Sequence, residues 1–157
     1  MRLLVLSDSH GDYISLKMAI ENEKDADVII FLGDGLNDIT PIEYLIRHKP
    51  FIAVKGNCDS SFTPYPERAL EVFGGKTVYC THGYREEVKF GLEKLKTNAL
   101  YSEAKIVLFG HTHTPFSAYE DGLYLLNPGS VKQNSCGIVD ITDGGILCFN
   151  KKIVSSY

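Results

Sequence analysis

Four of the five histidines, His10, His82, His111 and His113, fall close behind short apolar runs, and only His48 lies elsewhere. One imidazole at the end of such a run is ordinarily a surface group or a satisfied core group, but four in equivalent places point to a shared ion. The first run ends in Ser7-Asp8-Ser9-His10-Gly11. On an extended backbone, residues i and i+2 point to the same side, so Asp8 and His10 can grip one cation with an oxygen and a nitrogen. Leu32-Gly33-Asp34-Gly35 sets a carboxylate between glycines that permit a sharp turn. Asp34 can bridge two cations or simply form the turn. Lys55-Gly56-Asn57-Cys58-Asp59 adds a side-chain amide that is either a ligand for a hard divalent ion or a turn residue. Cys80-Thr81-His82-Gly83 and Gly110-His111-Thr112-His113 supply three more imidazoles. Mixed nitrogen and oxygen donors suit Mn, Fe, Ni, Co or Zn better than Ca.

These side chains need a scaffold that brings distant segments together. Continuous apolar runs at 3–6, 28–32, 51–54 and 106–109 predict strands covered on both faces, as in parallel sheets. A helix is expected over 13–23, capped by Asp12 and packed through Ile14 and Met18. A second is expected over 88–103, with Val88, Leu92, Leu95 and Ala99 on one face. Gly74-Gly75, Asp121-Gly122 and Asp143-Gly144-Gly145 each divide two strand-like runs and predict hairpins. Strands alternating with helices early and hairpins late predict an α/β fold, a four-layer αββα sandwich of two mixed β-sheets flanked by helices. Ligands in such sheets collect at the carboxyl ends of strands, where the polar motifs fall.

A chain of 157 residues without a linker or internal repeat predicts a single domain over 1–157. The formal charge of −4 offers no basic footprint for duplex nucleic acid. No apolar run reaches the length of a membrane span, and the expected compartment is cytoplasmic. Neither duplex nor membrane is expected as a partner, and a homo-oligomer is left open. Cys80, Cys136 and Cys148 sit in strand-like runs and read as core thiols, whereas Cys58 falls among the polar motifs.

In order along the chain, Asp-x-His, Gly-Asp, Gly-Asn-x-Asp, His-Gly and Gly-His-x-His resemble the signature of calcineurin-like metallophosphoesterases. The chain's small size, its Gly-Asn-Cys-Asp and its Asn127-Pro128-Gly129-Ser130 are similar to the compact prokaryotic phosphodiesterase branch. The resemblance implies two divalent ions per subunit, with Mn favoured. One would be held by Asp8, His10, Asp34 and His113, the other by Asp34, Asn57, His82 and His111. The implied partner is a small phosphodiester substrate and the implied reaction its hydrolysis by a bridging hydroxide, since two ions about 4 Å apart clamp phosphoryl oxygens and acidify water. Cys58 stands where many relatives have a histidine near the scissile bond, which removes the usual general acid. Tyr84 stands where small relatives often have another histidine. Cys58, Asn127 and Ser130 are candidate substrate contacts, the last two alternatively only turn formers, and Asp59 is expected to orient His10 or Asn57. Rival readings are a scaffold subunit like the retromer component of this fold, a phosphomonoesterase or a nuclease.

Overall fold

Uninterrupted β-branched and leucine-rich stretches form the central strands, and the pattern of side-chain burial along them sets the layers. In the computed structural model, which describes residues 1–155, the strands are β1 (Arg2–Leu6), β2 (Val28–Phe31), β3 (Phe51–Ala53), β4 (Arg68–Phe73), β5 (Lys76–Thr81), β6 (Ile106–Leu108), β7 (Phe116–Glu120), β8 (Leu123–Asn127), β9 (Ser135–Thr142) and β10 (Gly145–Lys152). Ser156 and Tyr157, the last residues of the expected domain, lie outside the described residues. One sheet has the order β10-β9-β1-β2-β3 and the other β4-β5-β6-β8-β7. Within the first, β1, β2 and β3 run parallel, with Leu3 opposite Val28 and Ile29 opposite Phe51. Within the second, β5, β6 and β8 run parallel. All three glycine-marked turns join antiparallel pairs, β4 to β5, β7 to β8 and β9 to β10.

Period-two alternation divides the core into three layers. Leu3, Val5, Val28 and Ile30 point between the sheets onto Val78, Cys80, Ile106 and Leu108. Leu4, Leu6, Ile29 and Phe31 point the other way, onto α1 (Tyr13–Asn22) and the segment Leu36–Ile42 that leads into α2 (Glu43–Ile46). Beyond the second sheet, Tyr79, Val107 and Leu125 pack on Leu95 and Ala99 of α3 (Glu93–Tyr101). Two mixed five-stranded sheets with helices outside give the αββα order expected.

Both helices differ from their sequence patterns in detail. Asp12 caps α1 by accepting from the Ser15 amide at 2.9 Å, as expected, but the buried face carries Leu16, Ala19 and Ile20, while Ile14 is exposed and Met18 only partly covered. The second helix starts at Glu93 rather than 88, because Gly91 at φ +140° stands outside helical space and keeps 88–92 as a turn. Val88 is nonetheless buried against the same layer. Cys80 and Cys136 are buried thiols, whereas Cys148 is only partly covered. Among the described residues no helix is long and apolar enough to cross a membrane.

Candidate metal centre

The loops that leave β1, β2, β3, β5 and β6 meet at one edge of the two sheets, so the site is assembled from both. Backbone bonds tie these loops together: the Asp8 and His10 amides donate to the carbonyls of Gly33 and Asp34, and the Gly110 amide donates to that of His82. Across the seam, the His111 amide donates to Asp8 Oδ2 at 3.1 Å. Two glycines permit these approaches. A Cβ on Gly56 would lie 2.1 Å from Asp34 Oδ1, and one on Gly110 would lie 2.2 Å from Ser7 Oγ.

The ligand pairs do not converge by extended alternation. Of the nine non-glycine residues with positive φ among the described residues, five are Asp8 (57°), His10 (45°), Asp34 (59°), His111 (70°) and His113 (61°). The left-handed backbone turns each side chain inward, at an energetic cost that native structures concentrate at functional sites. The i, i+2 spacing of Asp8 and His10 therefore brings them together for a different reason from the one the sequence suggested.

His113 Nε2 stands 3.1 Å from Asp8 Oδ1 and 3.1 Å from His10 Nε2, and His10 Nε2 is 3.4 Å from Asp8 Oδ1. On the other side, His82 Nε2 is 3.2 Å from Asp34 Oδ2 and 3.2 Å from His111 Nδ1. Asp8 with His10 and His113, and Asp34 with His82 and His111, thus form two clusters whose donor atoms lie within 4.8 Å of one another. A third cluster joins His10 and Asp34 to Cys58, so the thiol faces the same space. Asn57 is exposed, and its Nδ2 lies 3.5 Å from Cys58 Sγ; it borders a cavity of about 240 Å³ together with His82. His48 lies apart, beside Arg47.

These donors fit a cation. Asp8 is fully buried, and its Oδ1 receives no hydrogen bond, although a buried carboxylate oxygen is costly to leave bare. The hydrogen-bond partners already present fix the remaining donor atoms. His82 Nδ1 meets the Leu32 carbonyl at 2.7 Å, which as a donated N–H leaves Nε2 as a lone pair aimed at Asp34 and His111. Asp34 Oδ1 accepts from the Cys58 amide at 2.7 Å, leaving Oδ2 toward the imidazoles. Lone pairs facing one another at about 3 Å repel unless a proton or a metal ion stands between them.

The local fields agree with crowded charge. Burial opposes ionisation of Asp34, but the hydrogen bond and charge of His82 outweigh it and hold the carboxyl at about 2. Burial also opposes the charged form of His82, yet Asp34 and Asp8 raise its affinity for a proton. His111 is pushed down to about 4 by burial and by the positive charges of His82 and Lys89. Burial and the charge of Asp34 raise the Cys58 thiol.

Hydrogen bonds from neighbouring side chains hold these loops in place. Asn127 and Ser130, the candidate substrate contacts of the Asn-Pro-Gly-Ser segment, are both buried. Asn127 Nδ2 donates to the Gly110 carbonyl and Thr112 Oγ1 on either side of His111, and Ser130 Oγ donates to the Asp8 carbonyl at 2.7 Å. Both thereby brace the loops that carry Asp8 and His111. Asp59 serves Asp34 rather than His10 or Asn57, accepting from the amides of Asp34, Gly35, Leu36 and Gly56. Sequence reading missed Asp38, which holds Ser9 Oγ and the Gly11 amide, and buried Glu86, which accepts from Arg68, Tyr79 and Thr81. Neither has a local signal, because a solvated loop carboxylate has the same pattern.

The sequence profile of the calcineurin-like phosphoesterase superfamily domain matches residues 1–144. The chain is 32% identical over 136 residues to the probable metallophosphoesterase YsnB of Bacillus subtilis, covering 84% of this chain and 76% of that protein. It is 29% identical over 157 residues to the phosphodiesterase YfcE of Escherichia coli, with 83% and 79% covered. Among solved structures, a conserved protein of Streptococcus pneumoniae described as a predicted phosphoesterase superposes with a TM-score of 0.76 at 28% identity, over 96% of this chain and 97% of that one.

Proposed function

The chain belongs to the calcineurin-like phosphoesterase superfamily and is a metal-dependent phosphoesterase, and from that premise we propose that it hydrolyses small phosphodiesters at a dinuclear centre. Asp8, His10, Asp34 and His113 would hold one ion and Asp34, Asn57, His82 and His111 the other, with Mn the favoured metal. The observation that carries this reading is the convergence of four imidazoles and two carboxylates in two adjoining clusters, one of which holds the undonated Asp8 Oδ1. When bound, a metal pair supplies positive charge to phosphoryl oxygens and acidifies a water that attacks in line.

The chain's own groups do the rest. Asp34, fixed through its amide by Asp59 and through Oδ1 by Cys58, presents one oxygen to both clusters. The Leu32 carbonyl orients the His82 ring, so Nε2 can serve only the site. Arg85, on the rim beside His82, is engaged by Glu67 at 3.1 Å.

The test is protein purified in chelator, then assayed with bis(4-nitrophenyl) phosphate and with 4-nitrophenyl phosphate, with and without Mn. Activity should be absent in chelator, return with Mn and favour the diester. Equal activity in chelator would sink the metal role, and preference for the monoester would sink the substrate class.

A further inference from the structure

The segment 83–92 between β5 and α3 crosses the rim of the site and is held from beneath. Fully buried Glu86 accepts from Arg68 Nε at 2.6 Å, Thr81 Oγ1 at 2.9 Å and the Tyr79 hydroxyl at 3.0 Å. Val88 is buried, and its amide donates to the Gly83 carbonyl. A segment pinned in this way would be expected to bury its rings, yet Tyr84 is 51% exposed and Phe90 92% exposed. The Tyr84 ring stands edge-on to His111, with centroids 5.5 Å apart.

Tyr84 and Arg85 form a ridge between two cavities, each walled in part by candidate ligands. On one side is the space of about 240 Å³ bordered by His82 and Asn57. On the other is a space of about 410 Å³ bordered by His111, Lys89, Phe90 and Lys94. A phosphodiester has two arms, and the ridge separates two places for them. The cations of the larger cavity are not equivalent. Arg85 is paired with Glu67 and Lys94 with Glu87, whereas Lys89 has no acidic partner among the described residues.

Resting on the metal-centre reading, we propose that the arm entering the larger cavity is a nucleotide that carries a further phosphate. Its base lies against Tyr84 and Phe90, and its second phosphate is held by Lys89. Aromatic faces accept any base, and a nearby unpaired ammonium supplies point-charge recognition of phosphate. The cavity has the size of a small-molecule site, and the chain's charge of −4 disfavours a longer polyanion.

The experiment compares three aryl diesters with Mn-loaded protein: bis(4-nitrophenyl) phosphate, thymidine 5′-(4-nitrophenyl) phosphate, and the last compound with a 3′-phosphate. Wild type should favour the 3′-phosphorylated compound through a lower KM. Lys89→Glu should cut kcat/KM for that compound about tenfold more than for bis(4-nitrophenyl) phosphate, a difference typical of one charge contact at a rim. Phe90→Ala should narrow the gap between the nucleoside diester and the plain aryl diester. Titration calorimetry with thymidine 3′,5′-bisphosphate, which needs no turnover, should give weaker binding for Lys89→Glu. Equal loss on all three diesters, or equal bisphosphate binding by variant and wild type, would overturn the proposal. Loss of all diester hydrolysis in wild type would instead refute the diesterase reading, and the calorimetric arm would still decide the role of Lys89.

Discussion

At the scale of single residues, Asp34 carries the most. It is the carboxylate that both ligand clusters approach, and the Cys58 amide and Asp59 hold it in place. Even residues that only support a metal ligand typically cost ten- to a hundredfold when lost, so Asp34→Asn and His82→Ala should each lower diesterase activity at least about a hundredfold. Circular dichroism should be unchanged, since both side chains project from loops at strand ends. Near wild-type rates with an intact fold would remove them from the ligand set. Cys58 gives a different expectation. Its thiol lies beside His10 and Asp34, at the position where the family resemblance implies a proton-donating imidazole. A site without such a donor expels the leaving oxygen as an anion, and donor help is typically worth about a hundredfold or more. Rates on aryl diesters should therefore fall steeply as leaving-group pKa rises, Cys58→His should flatten the slope, and Cys58→Ser should change little. A loss in Cys58→Ser confined to poor leaving groups would make the thiol itself the acid.

At the scale of elements, the strands and hairpins were legible because burial on both faces leaves a continuous apolar run and tight turns demand glycine. The helix over 88–103 was overextended for a related reason. Val88 and Leu92 share the spacing of Leu95 and Ala99 and touch the same layer, but from a turn, and hydrophobic periodicity cannot separate the two. The bracing roles of Asn127 and Ser130 were illegible, since a turn sequence does not say which neighbouring loop its side chains will reach. One pairing between elements can be tested by acid. Arg2 of β1 meets Asp140 of β9 with two contacts of 2.8 Å, and the hydrogen bond to Arg2 holds the Asp140 carboxyl below its ordinary value. A depressed folded pKa contributes stability above the unfolded pKa and loses it as pH falls through the folded one. Because Arg2 is more than a third exposed, Arg2→Ala should cost no more than about 1 kcal/mol near neutrality. That deficit should shrink as denaturation is measured below about pH 4, toward the value at which Asp140 protonates in the fold. A deficit constant with pH would mean the lost contact is packing rather than charge.

At the scale of the whole molecule, the candidate ligands are divided between the sheets. Asp8, His10, Asp34 and Asn57 follow strands of the first sheet, and His82, His111 and His113 follow strands of the second. The order of the motifs named the candidate ligands, but not that opposite halves of the sandwich supply them. The buried, undonated Asp8 Oδ1 sits at this seam, and it has a meaning for mutational tolerance. A group kept for its task and not for folding is a place where losing function should gain stability. Asp8→Asn removes the bare charge, and asparagine accepts the left-handed backbone at φ 57°. In chelator the variant should melt higher than wild type, while addition of Mn should raise the wild-type midpoint and not that of the variant. Were the variant to melt lower in chelator, Asp8 would be a fold-keeping residue. If it melts higher, selection for folding alone would discard this aspartate, and its presence records a demand imposed by chemistry.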